Sequence, residues 1–202
     1  MNRTKSPSFW VAVVLSQLLF AALLPISFKL LAYLHPVFLL VIWMCVTLFV
    51  FFAVYFVQKE QFHIPKLILK IAMATYSFGL VVLLFFRPGN QEYSQINLVP
   101  FRTIAGFLAG DGNFLVAFYN IAANILLFVP YGVSALMLRK NPSRTRLILI
   151  PVAVILLIEI MQFLTRRGSM DIDDLILNLF GVGVGYLLYP LICKVIKIVD
   201  KN

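Results

Sequence analysis

The chain has 202 residues, of which 62% are hydrophobic and 12% charged, with a formal net charge of +9 and a mean hydropathy of +0.97. A soluble domain is roughly 45–50% apolar and 25% charged, so the composition excludes a soluble enzyme, and its hydrophobicity excludes intrinsic disorder. Two cysteines in apolar runs build no disulfide framework, and the basic residues fall in short clusters between apolar runs, which speaks for a membrane and against nucleic acid as a partner.

A bilayer core about 30 Å thick needs about 20 apolar residues per helix. Six stretches reach that length, at Phe9 to Leu31, Pro36 to Val57, Leu67 to Phe86, Phe114 to Leu138, Leu147 to Thr165 and Leu175 to Ile196. The expected fold is all-α, a polytopic integral membrane bundle of six transmembrane helices in the cell membrane. Arg3 and Lys5 precede the first run, which is too long for a secretion signal and lacks a small-x-small cleavage site, so it reads as an uncleaved anchor. The first two spans hold little polarity beyond Ser16, Gln17, Ser27 and Thr47, and QKEQFHIPK reads as a connector. His35 and His63 stand alone at helix ends, without the spacing of metal ligands. Residues 1–66 are therefore expected to form a two-helix N-terminal extension, and 67–202 a four-helix core, with Lys70 snorkelling to the headgroups at the start of its third span.

The loop after the third span, RPGNQEYSQINLVPFRTIAGFLAGDGN, is long for a compact bundle, and such loops tend to be functional. Phe101, Ile104, Phe107 and Leu108 recur at helical spacing after Pro100, which predicts a short amphipathic helix at the interface, with Asn97 ahead of it as a cap or ligand contact. Asn120 and Asn124 share a face of the fourth span, and Glu159 and Gln162 share a face of the fifth. A carboxylic acid at that depth must be protonated, paired or in a wet cavity, which makes Glu159 a functional candidate. In RRGSMDIDDLILNLFG, Asp171, Asp174 and Asn178 share a face of the sixth span. Asp171 suits an N-cap and Asp174 the third helical position, which accounts for about half of that signal. Asn178 is left without such a role, and Asp173 is expected to point away from Asp171. Gly181 and Gly185 form a GxxxG pair suited to close helix packing.

Cytoplasmic segments carry the excess of Lys and Arg. With the N-terminus inside, twelve basic residues fall inside and five outside, the latter being Lys29, Arg87, Arg102, Arg166 and Arg167, so both termini are expected in the cytoplasm. Glu92, Asp111, Asp171, Asp173 and Asp174 then lie outside. Asn124, Glu159, Gln162 and Asn178 fall in the outer half of the bilayer, where Arg166 or Arg167 is close enough in sequence to neutralise a carboxylate. The expectation is a charge-balanced polar crater opening outward.

NLVPF at 97 to 101, NILLFVPYG at 124 to 132, and the pair Glu159 and Gln162 followed by GSMDIDDLILNLFG resemble, in order and spacing, the VanZ-like membrane protein family over roughly residues 67 to 190. The patterned positions are Asn97, Pro100, Asn124, Pro130, Gly132, Glu159, Gln162, Asp171, Asp174, Asn178 and Gly181, with Asp173 ranked below its neighbours. The two leading spans look like an addition to that core. The family is named for a protein that accompanies glycopeptide resistance clusters in Gram-positive bacteria and is associated with reduced susceptibility to teicoplanin-type antibiotics. The resemblance therefore implies a protein of the cell envelope.

Three functional readings follow. The first is a non-enzymatic membrane protein whose outward site, built from Asn97, Arg102, Asn124, Glu159, Gln162, Arg167, Asp171, Asp174 and Asn178, engages a lipid-linked wall precursor or a lipoglycopeptide. The second is an intramembrane enzyme acting on a lipid-linked phosphate, with Glu159 as general acid or base and Asp171 with Asp174 holding a divalent cation. It lacks any nucleophile beside a His, any HExxH and any phosphate-cradling glycine loop. The third is a proton-coupled transporter using Glu159, which the absence of visible repeats and a cluster confined to one leaflet disfavour. The first reading is preferred, with no resident metal or cofactor.

Overall fold

The computed structural model describes residues 7–30, 37–85, 96–109, 114–139 and 141–199. Among them are seven helices: α1 (Pro7–Leu30), α2 (Val37–Val57), α3 (Lys66–Phe85), α4 (Arg102–Ala109), α5 (Phe114–Leu138), α6 (Arg144–Leu164) and α7 (Ile172–Ile192). Four short strands accompany them: β1 (Phe62–Pro65), β2 (Ile96–Asn97), β3 (Met170–Asp171) and β4 (Ile196–Val199). Five helices are long and apolar enough to cross a membrane, through Pro7–Pro25 of α1, Asn120–Leu138 of α5 and the whole of α3, α6 and α7, while α2 presents the shorter apolar stretch Trp43–Val57. Their large side chains face outward: only 6% of the α3 window and 11% of the α6 window are buried within the protein. Apolar surface on that scale needs lipid as its solvent.

The sixth expected span is displaced. It begins at Ile172 and ends at Ile192, and Ile196–Val199 is extended, with alternating burial. The cap at Asp171 draws the helix start forward, and the strand replaces what the hydropathy pattern reads as a last helical turn.

The chain divides into two compact units, Met1–His63 with Cys193–Lys197, and Ile64–Ile192 with Ile198–Asn202. In the first, α1 packs on α2 through Ser8, Ala12 and Ser16, all fully buried. These small residues recur every four positions, so they form one stripe along which two backbones can approach closely. Ser8 donates to Gln58, Trp43 Nε1 donates to Gln17 Oε1 at 3.0 Å, and Tyr55 stacks on Phe62 at 3.8 Å between centroids. Gln61 Nε2 donates to Cys193 O at 3.4 Å and Phe62 N–H to Val195 O at 2.7 Å, so QKEQFHIPK, expected as a plain connector, contributes a paired strand.

In the second unit Leu80, Phe128, Ile155 and Val182, one from each of α3, α5, α6 and α7, form the buried core. The tightest contact is between α5 and α7. A Cβ on Gly181 would lie 2.1 Å from Ile125 O, one on Gly185 2.3 Å from Val129 O, and one on Gly132 2.1 Å from Val182 O. Backbone therefore rests on backbone, as the GxxxG pair predicts, with Gly132 as its counterpart on α5. Proline within α6 has a local remedy. Pro151 has no N–H for Leu147 O four residues back, and Tyr186 Oη–H donates to that carbonyl at 2.7 Å.

Candidate functional site

The polar residues singled out from the sequence lie at one end of the second unit, where α3 and α6 finish and α5 and α7 start. The segment between α3 and α5 is tied there by a parallel bridge that pairs Ile96 with Met170 and Asn97 with Asp171. Asn97 Nδ2 donates to Asp171 Oδ1 at 3.1 Å and to Thr103 Oγ1 at 3.0 Å, and Thr103 Oγ1–H donates to Asp171 Oδ2 at 2.6 Å. Asp171 also accepts the backbone N–H of Asp173 at 2.9 Å, as the N-cap of α7 should. The short amphipathic helix expected after Pro100 is α4, and Asn97 holds the turn ahead of it by accepting Val99 N–H at 3.3 Å.

Asp173 departs from expectation. It is fully buried, and its carboxylate caps α4 from another part of the chain. Oδ1 accepts Phe101 N–H at 2.5 Å, and Oδ2 accepts Thr103 N–H at 2.8 Å and Ile104 N–H at 3.1 Å. These are the donors that a helix N-terminus leaves without intrahelical partners. Two signals in the sequence point to this role. α4 follows Pro100 and Phe101 without a Ser, Thr, Asp or Asn cap and has no acidic residue in its first turn. The start of α7, by contrast, carries one carboxylate beyond its cap and its dipole residue. Phe101 holds φ at 64°, a left-handed value costly for a non-glycine residue, and the bond to Asp173 helps to keep it there.

Deeper in the bundle Asn124 Nδ2 donates to Asp174 Oδ1 at 2.6 Å, joining α5 to α7. Glu159 is 4% exposed and Asn178 5%. The Glu159 carboxyl faces the backbone N–H of Asp171 and lies in the field of Asp174 and Asp171. Asn178 follows Asp174 by one turn on the same face. Glu159 is five residues from the end of α6 and Asn178 six from the start of α7, so each lies about 8 Å below that end. Among the described residues, Glu159 Oε2 and Asn178 Oδ1 have no hydrogen-bond partner.

Gln162 is directed elsewhere. Its Nε2 donates to Leu84 O at the end of α3 at 3.3 Å, and its carbonyl accepts Arg167 N–H and Gly168 N–H. Arg102 and Arg167 are exposed. Arg167, with Thr165 and Met161 of the α6 end and Val81 and Phe85 of α3, lines a groove of about 390 Å³. Asn97, Thr103 and Asp171 are thus joined by hydrogen bonds, Glu159 faces the Asp171 N–H in the field of Asp174, and Asn124 bonds Asp174. Asn178 is buried near them in sequence without a bond to any of them among the described residues, and Gln162, Arg102 and Arg167 lie at the margin. Among the described residues no group of three or more His, Cys, Asp or Glu is arranged to hold a metal ion. Arg87, Glu92 and Asp111 lie outside the described residues.

No curated protein and no solved structure matches the chain. The family model VanZ/LLP1 matches residues 34–193, a span that takes in α2 to α7 with every residue of the network. The protein is a multi-pass membrane protein and belongs to the VanZ/LLP1 family.

Proposed function

We propose that the protein is a non-enzymatic component of the bacterial cell envelope whose polar end faces outward and engages an amphiphile, a lipid-linked wall precursor or a teicoplanin-type lipoglycopeptide. One observation carries the reading. Carboxylates and amides from four separate segments gather at a single end of the bundle, beside a groove that is apolar along its walls and cationic at Arg167. An amphiphile presents the complementary surface: a tail for Val81, Phe85 and Met161, and an anionic or hydroxylated head for Arg167 and the amides. Six spans with both termini in the cytoplasm put this end outside, because the basic segment at Arg139 to Arg146 then falls inside.

Expression in a susceptible Gram-positive host tests the reading. The wild-type protein should raise the inhibitory concentration of lipidated glycopeptides and leave that of non-lipidated ones unchanged, and Glu159→Gln and Asp174→Asn should lose the effect. Equal susceptibility with and without the protein overturns the resistance role. The orientation is tested by single cysteines at Ser169 and Ser143, of which only the first should react with an impermeant thiol reagent on intact cells.

A further inference from the structure

The segment ahead of α4 turns its polar groups inward and its large apolar ones outward. Asn97 and Thr103 bond to Asp171, while Ile96, Leu98, Val99 and Phe101 stand 54–61% exposed, with Pro100 exposed among them. The backbone is pinned in this arrangement. Asn97 is paired with Asp171 in the parallel bridge, and Phe101, at φ 64°, donates its N–H to Asp173. A costly backbone conformation that leaves a phenyl ring outside the protein persists only where its surroundings determine it. In water a contiguous row of large apolar side chains is an unmet patch, so it marks a contact.

The depth of the segment names the partner. α7 has 21 residues, about 31 Å at 1.5 Å per residue, and so just crosses a hydrocarbon core about 30 Å thick. Asp171, the residue before it, then lies at the hydrocarbon edge, and the bridge between β2 and β3 holds Ile96 and Asn97 at the same level. α3 and α6, which finish at this end, expose most of their length to lipid. The apolar row therefore stands where that lipid-solvated surface gives way to headgroups. Arg102, exposed at the next position, complements the phosphates met at this depth.

We propose that residues 96–101 form an interfacial wedge, with Ile96, Leu98, Val99 and Phe101 inserted among phospholipids at the boundary between headgroups and acyl chains, seating α4 on the membrane surface. The amphipathic pattern of α4 concerns the helix alone, whereas the wedge is the extended segment ahead of it, held in shape by Asn97 and Asp173. It belongs to whichever leaflet holds this end of the bundle and needs no amphiphile in the groove. A failure of the susceptibility test leaves it standing.

The test uses the full chain in liposomes of phosphatidylcholine and phosphatidylglycerol, with Cys45 and Cys193 replaced by Ala and one nitroxide attached at Leu98→Cys or at Val99→Cys. Electron paramagnetic resonance compares collisions with oxygen, which concentrates in lipid, and collisions with a water-soluble nickel chelate. Phe180→Cys is the deep reference, being 60% exposed and eight residues past the start of α7, about 12 Å below this end. Free label in buffer is the aqueous reference. At 98 and 99 the ratio of oxygen to nickel collisions should rise several-fold above the aqueous value and stay below the value at 180. If Leu98→Cys fails to fold, Val99→Cys decides alone. A ratio equal to that of the free label puts the segment in water, one equal to that at 180 puts it in the bilayer interior, and few collisions with either reagent show it covered by protein, a second copy included. Each of these three results overturns the proposal.

Discussion

Removing the Asp173 carboxylate is the sharpest test of how the loop is held. Asp173→Ala deprives the N–H groups of Phe101, Thr103 and Ile104 of their acceptor at once. Hydrogen bonds to a charged group contribute roughly 1.5–3 kcal/mol each and do not add, so the three together are expected to be worth about 3–5 kcal/mol. Relaxation of Phe101 from φ 64° returns about 1 kcal/mol. A net loss of about 3 kcal/mol corresponds to roughly 100-fold faster opening. The loss is local, because α4 rests on few neighbours while α5 and α7 are joined along their length. Hydrogen exchange by mass spectrometry in nanodiscs should show residues 101–105 exchanging about 100-fold faster in Asp173→Ala. Peptides from α5 and α7 should be unchanged. Asp173→Asn should behave almost as badly, since its NH₂ must face either Phe101 N–H or the N–H pair of Thr103 and Ile104. Wild-type protection of 101–105 in a folded Asp173→Ala variant would refute the trans-capping argument.

Gly132→Ala and Gly181→Ala each force a methyl to within 2.1 Å of a backbone carbonyl, and should cost about 1–3 kcal/mol or more, read as a lowered Tm in detergent. Gly183→Ala, where a Cβ meets nothing within 4 Å, should be neutral or stabilising by up to about 1 kcal/mol. Tyr186→Phe strands Leu147 O and should cost about 1 kcal/mol; in Pro151→Ala, whose restored N–H serves that carbonyl, the same change should cost close to nothing, a coupling that a double-mutant cycle reads directly. Asn97→Ala, which cuts the bonds to Asp171 and Thr103, should loosen residues 96–105 to exchange while peptides from α6 stay protected.

What the sequence made legible was whatever is written locally. Length and hydropathy mark the long helices, four-residue spacing pairs Gly181 with Gly185, and the surroundings of Asp171 mark a helix start. What escaped is carried between distant segments. The bond from Phe101 to Asp173 crosses 72 positions and the Asn97–Asp171 pair 74, and no periodicity encodes such a partner. The Ser8, Ala12 and Ser16 stripe escaped for another reason: in an almost uniformly apolar helix, small size rather than polarity marks the packed face. Pro151 and Tyr186 are individually unremarkable in a membrane helix, and only the missing N–H of one and the spare hydroxyl of the other make them a pair.

The network divides by whether its oxygens are already occupied, and the division separates scaffold from site. Asp173 serves three backbone donors and Asp171 two side chains and one backbone N–H, so these aspartates, with Asn97 and Thr103, weld the loop to the start of α7. A ligand taking either carboxylate would have to replace bonds that hold α4 in place, which argues against both as direct contacts and against Asp171 as half of a divalent metal site. Glu159 and Asn178 lie about 8 Å deeper, are equally buried, and each holds an oxygen that no bond from the described residues uses. Substitutions should therefore fall into two classes that share a motif and a helix end: those at Asn97, Asp171 and Asp173 acting through release of the loop, and those at Glu159 and Asn178 leaving the loop protected while altering what the bundle binds.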